Sequence, residues 1–263
     1  MKILVLTDRY EYAIGNIFAS TLNKMGHEVQ IFDLLTAINK YVRLGKAGRV
    51  MQSFIPLEAW IKKGNRELAV VIKEFKPDQI IISGHVQVLY GTMAFAKSIL
   101  PELKITQFWP DTFINLSQVQ LNLVTMVDKL VSYSRASLKI FEQLGFRHVE
   151  WMPFAGDVNF LGTSDNSNHD FRYDVTFIGA WRPEREKIMV AAIKNIPDLR
   201  YRLVGPNWKR NLNKKEISKY VDDTPILGRA YGDFIRSSKI NLNIIDDTNY
   251  PAANMRFFEV PVA

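Results

Sequence analysis

Cysteine is absent from this 263-residue chain. The absence excludes disulfides, thiolate zinc sites and a cysteine nucleophile, and it fits a reducing cytoplasm. Long apolar runs are missing too. No stretch approaches the roughly 18 apolar residues of a membrane-spanning helix, and the apolar start Met1–Thr7 is too short for a signal peptide. The sequence therefore predicts a cytoplasmic protein with no membrane span.

Several motifs of catalysis and cofactor binding are also missing. There is no Gly-x-Ser-x-Gly elbow, no Walker loop and no dinucleotide fingerprint, because the loop Thr7–Arg9 after the first predicted strand has its next glycine only at Gly15. The paired aspartates Asp222-Asp223 and Asp246-Asp247 form no Asp-x-Asp triplet, and the four histidines are scattered. We therefore expect no metal site and no bound cofactor.

What is present is typical of a globular protein with a substantial core, since 47% of the residues are hydrophobic and 23% are charged. The formal net charge of +7 favours anionic partners such as nucleotide phosphates, an anionic membrane surface or nucleic acid. The basic residues are spread along the chain, with short clusters at Lys209-Arg210 and Lys214-Lys215. Without a long basic block or interleaved aromatic residues, the sequence argues against nucleic acid as the partner.

Short β-rich runs alternate with amphipathic segments of helical length, which predicts βα units and parallel sheets. The predicted elements include strands at 3–6, 79–83, 104–109, 174–178 and 239–245, and helices at 116–126 and 233–237. A polar stretch over 162–170 interrupts this alternation, which restarts with a strand at Asp174. We therefore predict an α/β protein with two domains, residues 1–155 and 156–263. The final helix has barely begun at Met255, so we expect the second domain to be incomplete at its C-terminus, as in a fragment or a shortened relative.

The segment Val175–Arg185 is the clearest candidate for a ligand site. A buried strand runs into Gly179, a short loop and a helix with Pro183 in its first turn. The glycine permits close approach of a ligand, and the free amides of a helix N-terminus can bind phosphate. Arg182 and Arg185 can add charge-assisted contacts. An ordinary strand-to-helix turn with two solvated arginines fits the same pattern.

Two later segments supply further candidates. Arg256 and Glu259 are three residues apart, so they are neighbours on one helix face. They form either a surface ion pair or a site in which Arg256 meets a diphosphate and Glu259 accepts hydrogen bonds from both ribose hydroxyls. In the strand-and-turn segment Ser238–Ile244, Asn241 and Asn243 point to the same side, where they either face a crevice or have a structural role.

In the first domain, two loops follow the carboxyl ends of predicted strands, where open α/β sheets bind ligands. One is Ser83-Gly84-His85 and the other is Phe108–Thr112. His85 or Asp111 can act there as the base on an acceptor hydroxyl, although a lone histidine or aspartate in a loop is more often structural.

Taken together, the second half resembles the nucleotide-binding domain of GT-B glycosyltransferases, particularly the spore-maturation-protein-like (CgeB-type) group. The resemblance rests on four pieces in order, which are Phe177-Ile178-Gly179 with Arg182 and Arg185, Leu203-Val204-Gly205, Tyr231–Ile244, and Asn254-x-Arg256-x-x-Glu259. It covers 174–263 well, whereas the first domain matches only in architecture and in Asp111. Members of the group usually continue well beyond the glutamate, which here is followed by four residues.

The resemblance implies two Rossmann-like domains and metal-independent sugar transfer from a nucleotide-sugar, which is a co-substrate rather than a cofactor. Gly179, Arg182, Arg185, Arg256 and Glu259 would bind the donor. The acceptor, a glycan, protein or lipid-linked hydroxyl, would lie near His85 and Asp111. A homo-oligomer could cover the surface that the missing elements normally shield. The alternatives are a non-catalytic binding or assembly protein of the same fold and a nucleotide-sugar epimerase.

Overall fold

The computed structural model describes residues 1–7, 13–43, 45–54, 57–162, 171–213, 215–247, 249 and 251–263. The chain divides into two compact units, Met1–Pro153 (unit 1) and Phe154–Ala263 (unit 2). Each unit contains one sheet with parallel strand pairs, so the predicted α/β class is confirmed. The polar stretch at 163–170 and the loop residues Asp8 and Arg9 lie outside the described residues.

Unit 1 contains a six-stranded parallel sheet with the strand order β2-β1-β3-β4-β5-β6. The chain first adds β2 on one side of β1 and then crosses to β3 on the other side. The strands are β1 (Lys2–Leu6), β2 (Glu28–Phe32), β3 (Gln79–Ser83), β4 (Lys104–Trp109), β5 (Lys129–Ser132) and β6 (Val149–Trp151).

The described residues of unit 1 include seven α-helices. Side chains alternate between the two faces of a strand, so Ile3 and Val5 pack on one face with Ala19, while Leu4 and Leu6 join the main core on the other. The helices are α1 (Ile14–Lys24), α2 (Leu34–Asn39), α3 (Gly45–Phe54), α4 (Glu58–Phe75), α5 (Tyr90–Ile99), α6 (Gln118–Asn122) and α7 (Leu138–Gln143).

The short helices of unit 1 depart most from the sequence prediction. Helix α2 was not predicted, although Asp33 caps it by accepting a hydrogen bond from the Thr36 amide at 2.8 Å. The helix predicted over 116–126 is only α6, which begins at a capping box formed by Ser117 and Gln120. Six- and five-residue helices offer too few turns for an apolar periodicity to be recognised.

Unit 2 contains a four-stranded parallel sheet with the order β10-β7-β8-β9. Its main core includes Phe177, Leu203 and the fully buried Trp208. The strands are β7 (Tyr173–Ile178), β8 (Tyr201–Val204), β9 (Val221–Asp222) and β10 (Ser238–Leu242). The helices are α8 (Val158–Leu161), α9 (Pro183–Asn195), α10 (Trp208–Asn211), α11 (Gly228–Arg236) and α12 (Met255–Val262).

Two predicted boundaries in unit 2 are wrong. The helix predicted over 233–237 is α11, which begins at Gly228 and buries Tyr231 and Ile235. The strand predicted to reach residue 245 ends at Leu242. Beyond it, the Ile244 carbonyl accepts a hydrogen bond from the Arg185 side chain at 3.3 Å. This carbonyl is therefore bonded to a side chain and not to a neighbouring strand.

Candidate functional site

The strand order of unit 2 defines a crevice at the carboxyl end of its sheet. Strand β7 pairs with β8 on one side and with β10 on the other. The chain runs from β7 through β8 to β9 and then crosses back to place β10 beside β7, so the strand order reverses between β7 and β10. In open α/β sheets, ligands bind outside the carboxyl ends of the strands at such a switch point. The segments 179–185 and 243–259, which contain all five predicted donor-binding residues, follow these two strands.

Tight backbone packing surrounds the turn after β7. The Gly179 amide donates to the Val204 carbonyl at 2.9 Å, and the Gly179 carbonyl accepts from the Trp208 indole at 2.8 Å. Gly205, at φ +145°, lies so close that a Cβ added there would be 2.2 Å from the Gly179 oxygen. Glycine at 205 is therefore required both by its backbone angle and by this contact. The turn has little freedom to move.

Arg182 is the exposed arginine of this turn. It occupies the N-cap position of α9 with extended backbone, and Pro183 follows at the first helical position. Its side chain is exposed and has no ion-pair partner in the described part of the chain. Arg182 is thus available to an anion arriving at the start of α9.

Arg185 occupies a different environment, because its side chain is only 11% exposed. Its guanidinium donates to the Ala180 carbonyl at 2.9 Å, to the Ile244 carbonyl at 3.3 Å and to the Asp246 carboxylate at 3.0 Å. These bonds tie the turn after β7 to the loop after β10. Arg185 therefore holds the walls of the crevice together.

The charge of Arg185 is influenced by the two other candidate arginines. Burial lowers the pKa of Arg185, and the nearby positive charges of Arg182 and Arg256 lower it further, while Asp246 opposes the shift. Like charges disfavour each other's ionised form. An anion between the three guanidinium groups would relieve this repulsion.

Glu259 and Arg256 form the ion pair that their spacing predicts. The Arg256 guanidinium donates to Glu259 Oε2 at 2.8 Å, and the Tyr231 hydroxyl donates to the same oxygen at 2.8 Å. The Glu259 side chain is 8% exposed, and Arg256 also lies over the Tyr231 ring at 5.1 Å. Burial, together with the adjacent Glu259 carboxylate, raises the pKa of Tyr231. The phenol therefore remains a hydrogen-bond donor to Glu259.

Buried side-chain atoms without hydrogen-bond partners concentrate at this crevice. Among the described residues, such atoms occur in four side chains, and three of these follow β7 or β10: Glu184 Oε2, Asn243 Oδ1 and Arg256 Nε. A buried polar atom left unpaired costs about 1–3 kcal/mol. Three such atoms in the segments that form one crevice indicate a site where a ligand or water donates hydrogen bonds to the two oxygens and accepts one from Arg256 Nε.

Sequence reasoning missed part of this arrangement. Asn241 and Asn243 were predicted to share one role, facing a crevice or structural. Asn241 is structural, since it accepts a hydrogen bond from Thr176 Oγ1 at 2.6 Å and donates one to the Ile235 carbonyl at 3.0 Å. Asn243 alone keeps an unpaired buried oxygen. The contacts of Tyr231 with Glu259 and of Asp246 with Arg185 connect residues 28 and 61 positions apart, and no local sequence pattern marks such distant pairs.

The candidate base lies in unit 1, at the carboxyl ends of β3 and β4. His85 Nε2 is 3.2 Å from Asp111 Oδ2, and the imidazole packs edge-on against Trp109 with 4.5 Å between the ring centroids. Asp111 also accepts from the Thr112 amide at 2.7 Å and from Asn115 Nδ2 at 2.8 Å. The structure thus brings the two predicted residues together as a pair.

The environment separates the roles of His85 and Asp111. Burial opposes ionisation of Asp111, but hydrogen bonds from His85, Asn115 and Thr112 hold its pKa below the usual value. Asp111 is therefore a weak base that orients the imidazole. The His85 side chain is 54% exposed, and its Nδ1 makes no hydrogen bond within the described residues, so this nitrogen can take a proton.

The described residues contain neither a metal-binding cluster nor a membrane-spanning helix. No group of three or more His, Asp or Glu side chains there is arranged to hold a metal ion. No helix in that part of the chain is both long enough and apolar enough to cross a membrane.

The second half of the chain matches a known protein family. Residues 182–263 match a protein family described as glycosyl transferase-like. The match begins at Arg182 and includes Arg185, Arg256 and Glu259, but it covers less than half of the chain. A search of curated protein sequences finds no match.

Solved structures share the fold across nearly the whole chain. One is the UDP-GlcNAc 2-epimerase of Neisseria meningitidis bound to UDP-GlcNAc, with 14% identity and a TM-score of 0.53, covering 92% of this chain and 77% of that one. Another is the N-terminal domain of Candida albicans trehalose-6-phosphate phosphatase, with 13% identity and a TM-score of 0.56, covering 91% and 76%.

An α-glucosyltransferase in complex with UDP-glucose and DNA is similar at 12% identity, with a TM-score of 0.53 and coverage of 92% and 71%. At such identities the likeness shows the fold alone. This chain therefore has a GT-B-like α/β fold, with a glycosyl transferase-like segment that contains most of the candidate site.

Proposed function

We propose that the protein is a glycosyltransferase of the spore-maturation-protein-like (CgeB-type) group, which transfers a sugar from a nucleoside diphosphate sugar to an acceptor hydroxyl without a metal. The main support is the convergence of three arginines on a switch-point crevice, where the buried Arg256 Nε has no partner. The family match to residues 182–263 points the same way. Structural neighbours that hold UDP-sugars show that this fold accommodates such donors.

Each donor-binding residue then has a distinct task. Arg182 and Arg256 bind the diphosphate, while Arg185 adds positive charge and keeps the crevice in shape. Glu259 accepts hydrogen bonds from the ribose hydroxyls, held in position by Tyr231. Gly179 lets the diphosphate approach the backbone closely. As the bond between the anomeric carbon and the diphosphate breaks, the arginines stabilise the charge that develops on the leaving group.

The acceptor side of the reaction belongs to unit 1. We assign the base to His85 and its orientation to Asp111, because Nδ1 of His85 is free and the Asp111 carboxylate already accepts three hydrogen bonds. The acceptor oxygen attacks the anomeric carbon, and its proton passes to Nδ1. The new glycosidic bond forms as the nucleoside diphosphate leaves.

Calorimetry with a panel of nucleoside diphosphates tests this function. We expect one nucleoside diphosphate to bind the wild type, and Glu259→Ala to weaken that binding by at least about tenfold, since a hydrogen bond to a charged group contributes about 1.5–3 kcal/mol. Asp198→Ala is the matched control, because this exposed carboxylate lies at the amino end of the same sheet. It should leave the affinity unchanged.

The outcomes separate the alternatives. Unchanged affinity in Glu259→Ala removes the ribose role. If no nucleoside diphosphate binds, the non-catalytic binding or assembly protein becomes the better explanation. Donor hydrolysis or transfer by the purified protein supports the glycosyltransferase, whereas interconversion of the donor sugar with no acceptor present identifies an epimerase instead.

A further inference from the structure

Positive charge is concentrated in one segment of unit 1, far along the sequence from the proposed donor site. Residues 40–67 contain seven Lys and Arg and two Glu, a net charge of +5, out of +7 for the whole chain. Exposed side chains in this segment include Arg43, Lys46 and Arg49. None of these three has a carboxylate partner within the described residues. The basic residues are therefore less evenly spread along the chain than predicted.

Helix α3 presents these charges beside exposed apolar side chains. Lys46 and Arg49 are three residues apart and therefore neighbours on the helix surface. Ala47, Val50 and Met51 follow the i, i+3, i+4 spacing of a single apolar stripe. Val50 is 59% exposed and Met51 is 38% exposed. The helix is thus amphipathic, yet its apolar stripe does not face the core.

The packing of α3 leaves both its basic side chains and its apolar stripe exposed. Within residues 45–51, only Gly48 is buried. A Cβ added to Gly48 would lie 1.9 Å from the Arg43 carbonyl oxygen and 2.9 Å from a Val42 methyl group. The helix therefore rests on the 42–43 segment through its glycine and leaves its basic and apolar residues outside. We call Arg43, Lys46, Arg49, Val50 and Met51 the basic face.

We propose that the basic face binds the surface of an anionic lipid bilayer, with α3 lying in the plane of the interface. Helices that bind in this way combine a Lys- and Arg-rich side with an apolar side that enters the boundary between headgroups and acyl chains. The negative potential of anionic lipids attracts basic residues. The exposed valine and methionine favour a bilayer over nucleic acid, whose binding surfaces instead use aromatic residues for stacking. A second copy of this chain would bring two positively charged faces together.

Vesicle sedimentation with the full chain tests the proposal. We expect binding to vesicles of phosphatidylcholine and phosphatidylglycerol in equal parts, and little binding to phosphatidylcholine alone. Lys46→Gln/Arg49→Gln should lower the partition coefficient roughly 30-fold, the effect expected for two basic residues at an anionic surface. The control Lys24→Gln/Lys139→Gln removes the same charge from two exposed lysines on other helices, so it should bind as the wild type does.

A second variant distinguishes a bilayer from other polyanions. Val50→Ser/Met51→Ser keeps every charge, so it should weaken vesicle binding while leaving any binding to a random oligonucleotide unchanged. Wild-type vesicle binding by this variant would overturn the proposal and indicate a surface for polyanions. Equal loss in the lysine control, or equal binding to both kinds of vesicle, would also overturn it. These assays need no donor or acceptor, so their outcome is independent of the proposed enzymatic function.

Discussion

Each of the two sheets has a pair of ionisable groups beyond the carboxyl ends of two adjacent strands, but the two pairs differ in exposure. In unit 2 the side chains of Arg185 and Asp246 are 11% and 7% exposed. In unit 1 those of His85 and Asp111 are 54% and 31% exposed. Buried charges with fixed partners form a rigid framework for binding, whereas an exposed imidazole with one free nitrogen is placed for proton transfer. This difference in exposure matches the roles proposed for them, with Arg185 and Asp246 holding the site and His85 accepting the proton.

The largest effect should come from the exposed pair. In the proposed mechanism His85 takes the acceptor proton, so we expect His85→Gln to slow transfer by about 10²–10⁴-fold, the usual contribution of a positioned base. Asp111→Asn keeps a side-chain oxygen near the imidazole but removes its charge, and should reduce turnover less. Neither change should alter nucleoside diphosphate affinity. The measurements are steady-state transfer rates and calorimetry.

The control for this first prediction is His148→Gln, which changes an exposed histidine at the amino end of β6. It should keep wild-type turnover. Transfer at the wild-type rate by His85→Gln would show that this residue is not the base. The greater exposure of His85 would then have no role in catalysis.

The buried pair should instead govern stability. Arg185→Ala leaves the Asp246 carboxylate without its guanidinium partner in a buried site, and breaking a buried ion pair in this way costs about 3–5 kcal/mol of unfolding free energy. Urea unfolding measures the loss. Arg172→Ala removes an exposed arginine before β7 and should change stability by less than about 0.5 kcal/mol.

A loss below about 1 kcal/mol in Arg185→Ala would show that the hydrogen bonds from Asn249 to Asp246 are sufficient to hold the loop. Arg185→Lys sharpens the prediction. It retains the charge, but a single ammonium cannot reproduce the planar guanidinium that reaches three acceptors. We expect this variant to lie between the wild type and Arg185→Ala in stability.

The difference between the regions also explains what sequence could and could not predict. Strands β1, β3, β4 and β7 were predicted to within about a residue, because each is a short apolar run followed by a turn signal. The glycosyl transferase-like likeness of the second half was likewise predicted, since the arginines and Glu259 stand in a recognisable order.

The partners of these residues could not be predicted. The spacing of Arg256 and Glu259 reveals their ion pair, but nothing local shows that Tyr231 completes it or that Arg185 is committed to Asp246. Such contacts depend on how β7, β10 and α11 pack, which is a tertiary property. Helix α3 was not predicted either, because two of its ten residues are glycine, a poor helix former.

A smaller effect should follow from Tyr231→Phe. The variant removes one of the two hydrogen bonds to Glu259 Oε2 and should cost about 1–3 kcal/mol of stability. If Tyr231 positions Glu259 for the ribose, the variant should also discriminate less between a ribonucleoside diphosphate and its 2′-deoxy analogue. Calorimetry gives the ratio of the two dissociation constants.

The control for Tyr231 is Tyr201→Phe, because the Tyr201 hydroxyl donates to the Ala192 and Ile196 carbonyls in the same unit. This change should also lower stability while leaving the ratio of dissociation constants at the wild-type value. An unchanged ratio in Tyr231→Phe would assign the tyrosine a purely structural role.

The smallest effect concerns Asp174, an ion-pair carboxylate at the amino end of the unit 2 sheet. Hydrogen bonds from the Arg200 guanidinium and then from Lys239 hold its pKa well below the usual range. A carboxylate with a depressed pKa stabilises the folded state above its unfolded pKa of about 3.9, and the contribution is lost as pH falls through the folded value.

Asp174→Asn should therefore be less stable than the wild type at pH 7, with a difference that shrinks as the pH falls below about 4. Urea unfolding at a series of pH values, at low and high salt, measures this difference. Added salt should reduce it, because Arg200 and Lys239 are more than half exposed. Asp198→Asn, which changes an exposed aspartate with no ion pair in the described chain, should follow the wild type at every pH. If the stability difference between Asp174→Asn and the wild type does not change with pH, the loss of stability comes from altered shape and hydrogen bonding and not from the lost charge.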